Sequence, residues 1–97
     1  YLGKHPCVID FYADWCRPCR ILSPILNELA QEYAGKVDFY KINVDNERNL
    51  ATAFSIRSIP TLLFIPMNGK PTLMQGASPK AELKKIIEEL LLKKTKE

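Results

Sequence analysis

Cys7-Val8-Ile9-Asp10-Phe11-Tyr12-Ala13-Asp14-Trp15-Cys16-Arg17-Pro18-Cys19 decides the fold, because the chain changes its period within this stretch. Cys7 to Ala13 is short, apolar and rich in β-formers, with one acid in its middle. Such near-continuous hydrophobic runs belong to strands covered on both faces. From Ile21 onward, Ile21, Leu22, Ile25, Leu26, Leu29 and Tyr33 follow i, i+3/i+4 spacing, which predicts an amphipathic helix ending near Gly35. Pro24 lies inside it and predicts a kink, since it cannot donate to the Arg20 carbonyl.

Working outward, Val37 to Asp45 reads as a second strand. Asn46 to Phe54 reads as a short helix capped by Asp45 or Asn46. Strand, helix and strand in that order imply a parallel pair with a right-handed crossover. Thr61 to Ile65 reads as a third strand, Asn68-Gly69 as a hairpin turn, and Thr72 to Gln75 as a fourth strand. Ser78 then caps a helix with Pro79 at its first position, and Leu83, Ile86, Ile87, Leu90 and Leu91 give its apolar stripe. The expected architecture is α/β, a mixed sheet of about four strands with helices on both faces.

The length of 97 residues suits one domain. A chain of this size buries roughly 60–65% of its unfolded surface. The 46% hydrophobic and 26% charged content is that of an ordinary globular protein. Net charge is +3, with much of the surplus in the tail Lys93-Lys94-Thr95-Lys96-Glu97. Without interleaved aromatics this reads as a solvated helix end, and no nucleic-acid partner is expected. No stretch approaches the ~20 apolar residues of a membrane span, and no leader is visible. The chain begins with Tyr1 rather than Met, as a trimmed chain would.

The three cysteines, Cys7, Cys16 and Cys19, are too few for a secreted disulfide scaffold. Cys16 falls where the first strand ends and the helix begins. Free amide donors and the positive end of the helix dipole favour a thiolate there. Cys19, three positions on, comes within one helical turn, and Pro18 suits an early helical position. Cys16, expected to be the more exposed, would attack a disulfide, and Cys19 would resolve the mixed disulfide.

A CxxC pair alone also fits half a zinc site or two buried thiols. Zinc would need His5 and Cys7, but about six residues of strand at ~3.3 Å each put them roughly 20 Å from Cys16. The same distance argues against a disulfide to Cys7, which reads as a small buried hydrophobe.

The segment Asp10 to Cys19 resembles the active-site segment of the thioredoxin family. Pro24, Lys41, Asp45, Ile59-Pro60-Thr61, Asn68-Gly69 and Gly76-Ala77 also fall where thioredoxins have them, and the match runs from about Val8 to Leu91. The resemblance implies a thioredoxin fold and protein-disulfide reduction without a cofactor. It also implies protein disulfide substrates and recharging by a reductase or another thiol donor. A monomer in the cytoplasm is expected, or a periplasmic or exported protein if a signal segment was removed.

The resemblance also gives roles to residues that are ambiguous alone. Asp10 could be a solvent-facing strand residue; the family places a buried carboxyl under Cys19, where it exchanges a proton with that thiol. Lys41 resembles the family lysine near this carboxyl. Pro60 would be trans on general grounds, whereas the family implies cis, with Ile59 free to pair with an extended substrate strand. Trp15, Pro18, Gly76 and Ala77 would complete the docking surface.

Two departures stand out. Family members commonly begin with a further strand and helix, so a truncated or minimal version is expected. Arg17 stands where glycine is common. Its fixed charge should favour the Cys16 thiolate and make the disulfide more oxidising, by on the order of 15 mV if about 0.7 kcal/mol survives exposure. Two other functions share these features: an oxidant or isomerase in an oxidising compartment, and a peptide-binding module without catalysis.

Overall fold

The computed structural model describes residues 5–92. The lysine-rich tail 93–97 and the start at Tyr1 lie outside the described residues. In chain order the elements are β1 (Cys7–Tyr12), α1 (Arg17–Glu32), β2 (Asp38–Asn43), α2 (Arg48–Ala53), β3 (Thr61–Ile65), β4 (Thr72–Gln75) and α3 (Lys80–Ile86). A π-helical turn, Ile87–Leu91, continues α3.

The sheet order is β2-β1-β3-β4. β1 pairs parallel with β2 and antiparallel with β3, and β3 pairs antiparallel with β4. The two central strands are therefore the apolar ones: all of β3, and β1 up to Phe11, are buried. The edge strands β2 and β4 carry exposed residues such as Tyr40 and Leu73.

Alternation along the strands sorts side chains onto two faces. Val8, Leu62 and Phe64 pack against Leu22, Leu26 and Leu29 of α1 and Leu83 of α3, with Ile87 and Leu91 completing that core. Cys7, Ile9, Phe11, Leu63 and Ile65 form the opposite core with Ile42, Val44 and Ile56. Phe54, just after α2, meets Phe11 there at 5.7 Å between ring centroids. Helices thus serve both faces, as the α/β expectation required.

The far end of α1 is stapled to α3. Lys80 pairs with Glu28 at 3.0 Å and also with Glu32, and Lys84 pairs with Glu32 at 3.0 Å. The Tyr33 hydroxyl donates to the Glu88 carboxylate at 2.7 Å. Burial and that carboxylate hold the phenol well above its ordinary range.

Several expectations need correction. β1 and β2 end at Tyr12 and Asn43, short of Ala13 and Asp45. Ile21 is exposed, because the buried line of α1 runs Cys19, Leu22, Leu26, Leu29. The residue before α2 is Glu47, not Asp45 or Asn46, and its side chain makes no capping bond. The Asn46 and Glu47 amides both bond the Asn43 carbonyl, forming a turn that delays the helix. α3 begins at Lys80 with Pro79 as its extended cap residue, one position later than Ser78 and Pro79 suggested. The β3–β4 connection runs from Pro66 to Pro71, with Gly69 at φ +111°, a backbone state that glycine adopts without strain.

Candidate active site

The buried strand β1 delivers the chain to one end of the sheet, where it turns into α1. The Cys16 amide donates to the Ala13 carbonyl at 3.2 Å, closing that turn. Cys16 is extended, at φ −88° and ψ 110°, and occupies the cap position of α1. Its sulfur accepts the Cys19 amide at 3.3 Å, the bond a serine or aspartate cap would otherwise make. Arg17 and Pro18 open the helix, where a missing proline N–H leaves no intrahelical bond unmade. The Cys16 and Cys19 sulfurs are joined as a disulfide, with Cα atoms 5.2 Å apart.

Both cysteines are buried, at 4% and 3% exposure, so exposure does not distinguish them as expected. What distinguishes Cys16 is the amide aimed at its sulfur. Helix-end donors and the dipole favour negative charge at that position.

Asp10 lies beneath. It has the parity of Val8 in β1 and so faces the α1 side of the sheet. It is 2% exposed, and its Oδ1 has no hydrogen-bond partner. Burial raises its pKa to about 6, with the Lys41 charge pulling the other way. Lys41 stands opposite Asp10 in the parallel register. A cavity of about 350 Å³ is lined by Asp10, Cys19, Lys41, Ser23, Tyr12 and Arg20, among others. Cys19 lines this cavity together with Asp10, and Cys16 does not.

Across the disulfide, Val44 and Ile59 pack against Ala13, Cys16 and Cys19. The same two residues line a shallower cleft of about 180 Å³ with Trp15, Ala51, Ile56, Arg57 and Ser58. Trp15 is 68% exposed, and its indole N–H donates to Asp45 Oδ2 at 2.8 Å. The Ile59–Pro60 bond is cis, against the general expectation and with the resemblance. Pro60 is buried, and its carbonyl accepts the Gly76 amide at 2.8 Å, tying the β4 end to this loop. Gly76 has φ +87°, while Ala77 is simply exposed beside it. Cys7 is a free buried thiol in the opposite core. Burial raises its pKa, as suits a small packed side chain.

The thioredoxin family model matches residues 2–89. The chain belongs to the thioredoxin family. It is 46% identical over 76 residues to a thioredoxin of Borreliella burgdorferi, covering 78% of this chain and 65% of that protein. With an M-type chloroplastic thioredoxin of Pisum sativum it shares 48% identity, over 92% of this chain and 52% of the relative. The chain thus spans about half to two thirds of the length of these relatives. Among solved structures it resembles chloroplastic thioredoxin z, with a TM-score of 0.83 and 31% identity, over 88% of this chain and 77% of the other. The thioredoxin fold expected from the sequence is therefore shown.

One residue of the site, Ser23, escaped the sequence. Ser23 accepts a hydrogen bond from the Lys41 ammonium at 3.1 Å. It lies four positions after Cys19, on the same helix face, which was the available signal. Asp45, which matches the family and with Asn46 reads as a candidate helix cap, bonds Trp15 in the fold. Thr61 also holds the Ile59 loop, its hydroxyl donating to the Ser58 carbonyl at 2.6 Å.

Proposed function

We propose that this chain reduces protein disulfides by dithiol–disulfide exchange. One observation carries the reading: a cysteine pair that closes into a disulfide at a helix cap, with an amide aimed at the first sulfur and a buried carboxyl lining a cavity with the second. In the reduced chain, the Cys16 thiolate attacks one substrate sulfur. The substrate bond breaks, and the departing sulfur leaves as a thiolate that takes a proton from water. Cys19 then gives its proton to the Asp10 carboxylate and attacks Cys16. The mixed disulfide breaks, and the second substrate sulfur leaves and is protonated. The substrate gains two electrons and two protons, and the chain is left with the Cys16–Cys19 bond. A reductase or another thiol donor then restores the dithiol.

In this reading Lys41 sets the charge facing Asp10. Trp15, Ile59, Pro60, Gly76 and Ala77 form the surface that receives an extended substrate segment, with Arg17 and Pro18 beside the bond being exchanged. Relatives named as bacterial and chloroplastic thioredoxins support a reducing interior, cytoplasmic in the first instance, as the place of work. The protein is expected to act as a monomer.

Arg17 favours a second reading, an oxidant or isomerase on the same site, because its charge at the first helical position stabilises the reduced form. Insulin reduction with a dithiol donor tests the main reading. Turnover lost in Cys16→Ser supports it, and equal rates in the two proteins overturn it.

A further inference from the structure

Lys41 faces the buried Asp10 across the strand pair, yet its ammonium is bound elsewhere. Its Nζ donates to Ser23 Oγ at 3.1 Å and lies 4.9 Å from the centre of the Tyr12 ring. Asp10 Oδ1, in contrast, has no hydrogen-bond partner. Ser23, Tyr12, Asp10, Cys19 and Lys41 line one cavity. We propose that Ser23 is a positioning residue, whose hydroxyl holds the Lys41 ammonium at the Asp10 cavity and thereby fixes the charge that faces Asp10 during exchange. The proposal rests on the reductase reading and adds to it a residue that acts through Lys41.

The surroundings leave Lys41 as the cation to be held. From α1 the cavity receives Cys19, Arg20 and Ser23, but the Arg20 guanidinium donates to the Asp14 carbonyl at 3.4 Å. β1 contributes Tyr12, and the loop after it Asp14, which faces the same cavity. β3 places Leu62 beside Asp10 and brings no ionisable group there. A smaller cavity of about 110 Å³ on Asp10 adds Tyr40 and the neutral Asn27. Lys41 is also the charge that lowers the Asp10 pKa against the effect of burial.

Lys41 sits on an edge strand and is exposed. A lysine there recovers hydration and rotamer freedom by turning outward, so the ammonium stays only where something binds it. The Tyr12 ring offers one such contact. Ser23 offers the directional one, and a serine hydroxyl keeps the same state across the whole pH range of the reaction.

The test follows the Asp10 carboxyl by ¹³C NMR in the oxidised protein, which requires no turnover. Ser23→Ala is expected to raise the Asp10 midpoint by on the order of half a pH unit, about threefold in its ionisation constant. Lys41→Met should raise it at least as far, and the double variant no further than Lys41→Met alone. Ser23→Thr should restore the original midpoint. Resolution of a mixed disulfide at pH 6 should slow about twofold in Ser23→Ala and be unchanged above pH 8. Alanine is a better helix former than serine, so the variant keeps α1. An unmoved midpoint in Ser23→Ala, or additive shifts in the double variant, overturns the proposal. A midpoint that moves in a protein unable to reduce insulin supports the Ser23–Lys41 coupling and removes the reductase reading alone.

Discussion

Trp15 and Asp45, 30 positions apart, are joined by a 2.8 Å bond from the indole N–H to the carboxylate. The bond spans from the turn before α1 to the segment after β2, and it holds an aromatic ring that is otherwise mostly in water. An exposed bond of this kind contributes about 1 kcal/mol. Asp45→Ala should therefore raise KM for a protein disulfide two- to fivefold, with a smaller change in kcat. Trp15 fluorescence anisotropy should fall, reporting a looser ring. An unchanged anisotropy would show that the ring is held by packing instead.

The two sulfurs should fail in different ways. Cys16→Ser should abolish disulfide reduction. Cys19→Ser should still attack but fail to release, so that a mixed disulfide with the substrate accumulates. Intact-mass spectrometry after brief exposure to oxidised insulin reads the adduct. Its appearance in Cys16→Ser and not in Cys19→Ser would reverse the assigned order of attack.

Asp10 should make stability depend on pH. Its folded pKa of about 6 lies above the ordinary aspartate value of 3.8, so the unfolded chain gives up this proton first. Stability from this group is complete below about pH 4, falls as pH rises to about 6, and stays reduced beyond. Asp10→Asn removes the ionisation, and it should be more stable than the parent at pH 8 by on the order of 2 kcal/mol. Urea unfolding at pH 4 and pH 8 reads the difference. The advantage should shrink at pH 4, and a variant no more stable at pH 8 would refute burial as the cause.

Arg17 is exposed at the first helical position and makes no ion pair with another described residue. Its charge therefore remains available to the neighbouring sulfur. Arg17→Gly should make the reduction potential more negative by on the order of 15 mV, measured against a glutathione buffer. A potential that is unchanged or less negative would count against the effect.

The core between the sheet and α1 should tolerate truncation badly. Leu22 is fully buried among Val8, Leu62 and their neighbours. Leu22→Ala should cost about 2–5 kcal/mol in chemical unfolding. Ile21→Ala, next to it and exposed, should cost less than about 1 kcal/mol. Equal losses would mean that the helix is seated in another register.

The contrast between Ile21 and Leu22 shows what was legible in the chain. Two apolar lines, Ile21-Ile25 and Leu22-Leu26, both satisfy helical spacing, and the seating on the sheet buries the second fully, half-buries Ile25 and leaves Ile21 exposed. β1 and β3 were readable because central strands need apolar side chains on both faces. α2 starts later than its residues suggest because the Asn46 and Glu47 amides close a turn on the Asn43 carbonyl, while Asp45, a good cap in isolation, bonds Trp15. The cysteine pair and its place at a strand–helix junction could be read from spacing alone. The cis bond before Pro60 could not, since composition favours trans and the resemblance supplied the answer. Ser23 stayed hidden because its partner is 18 positions away, on a strand of the sheet and not on its own helix, where no local pattern reaches.

The lysine and tyrosine staples between α1 and α3 give the molecule a quiet end and a working end. Glu28, Glu32 and Tyr33 anchor the helix far from its reactive tip. The reactive tip itself is two sulfurs three positions apart, joined to one another. In the proposed exchange, the changes of bonding would fall on that tip, while the stapled end of the helix takes no part in them.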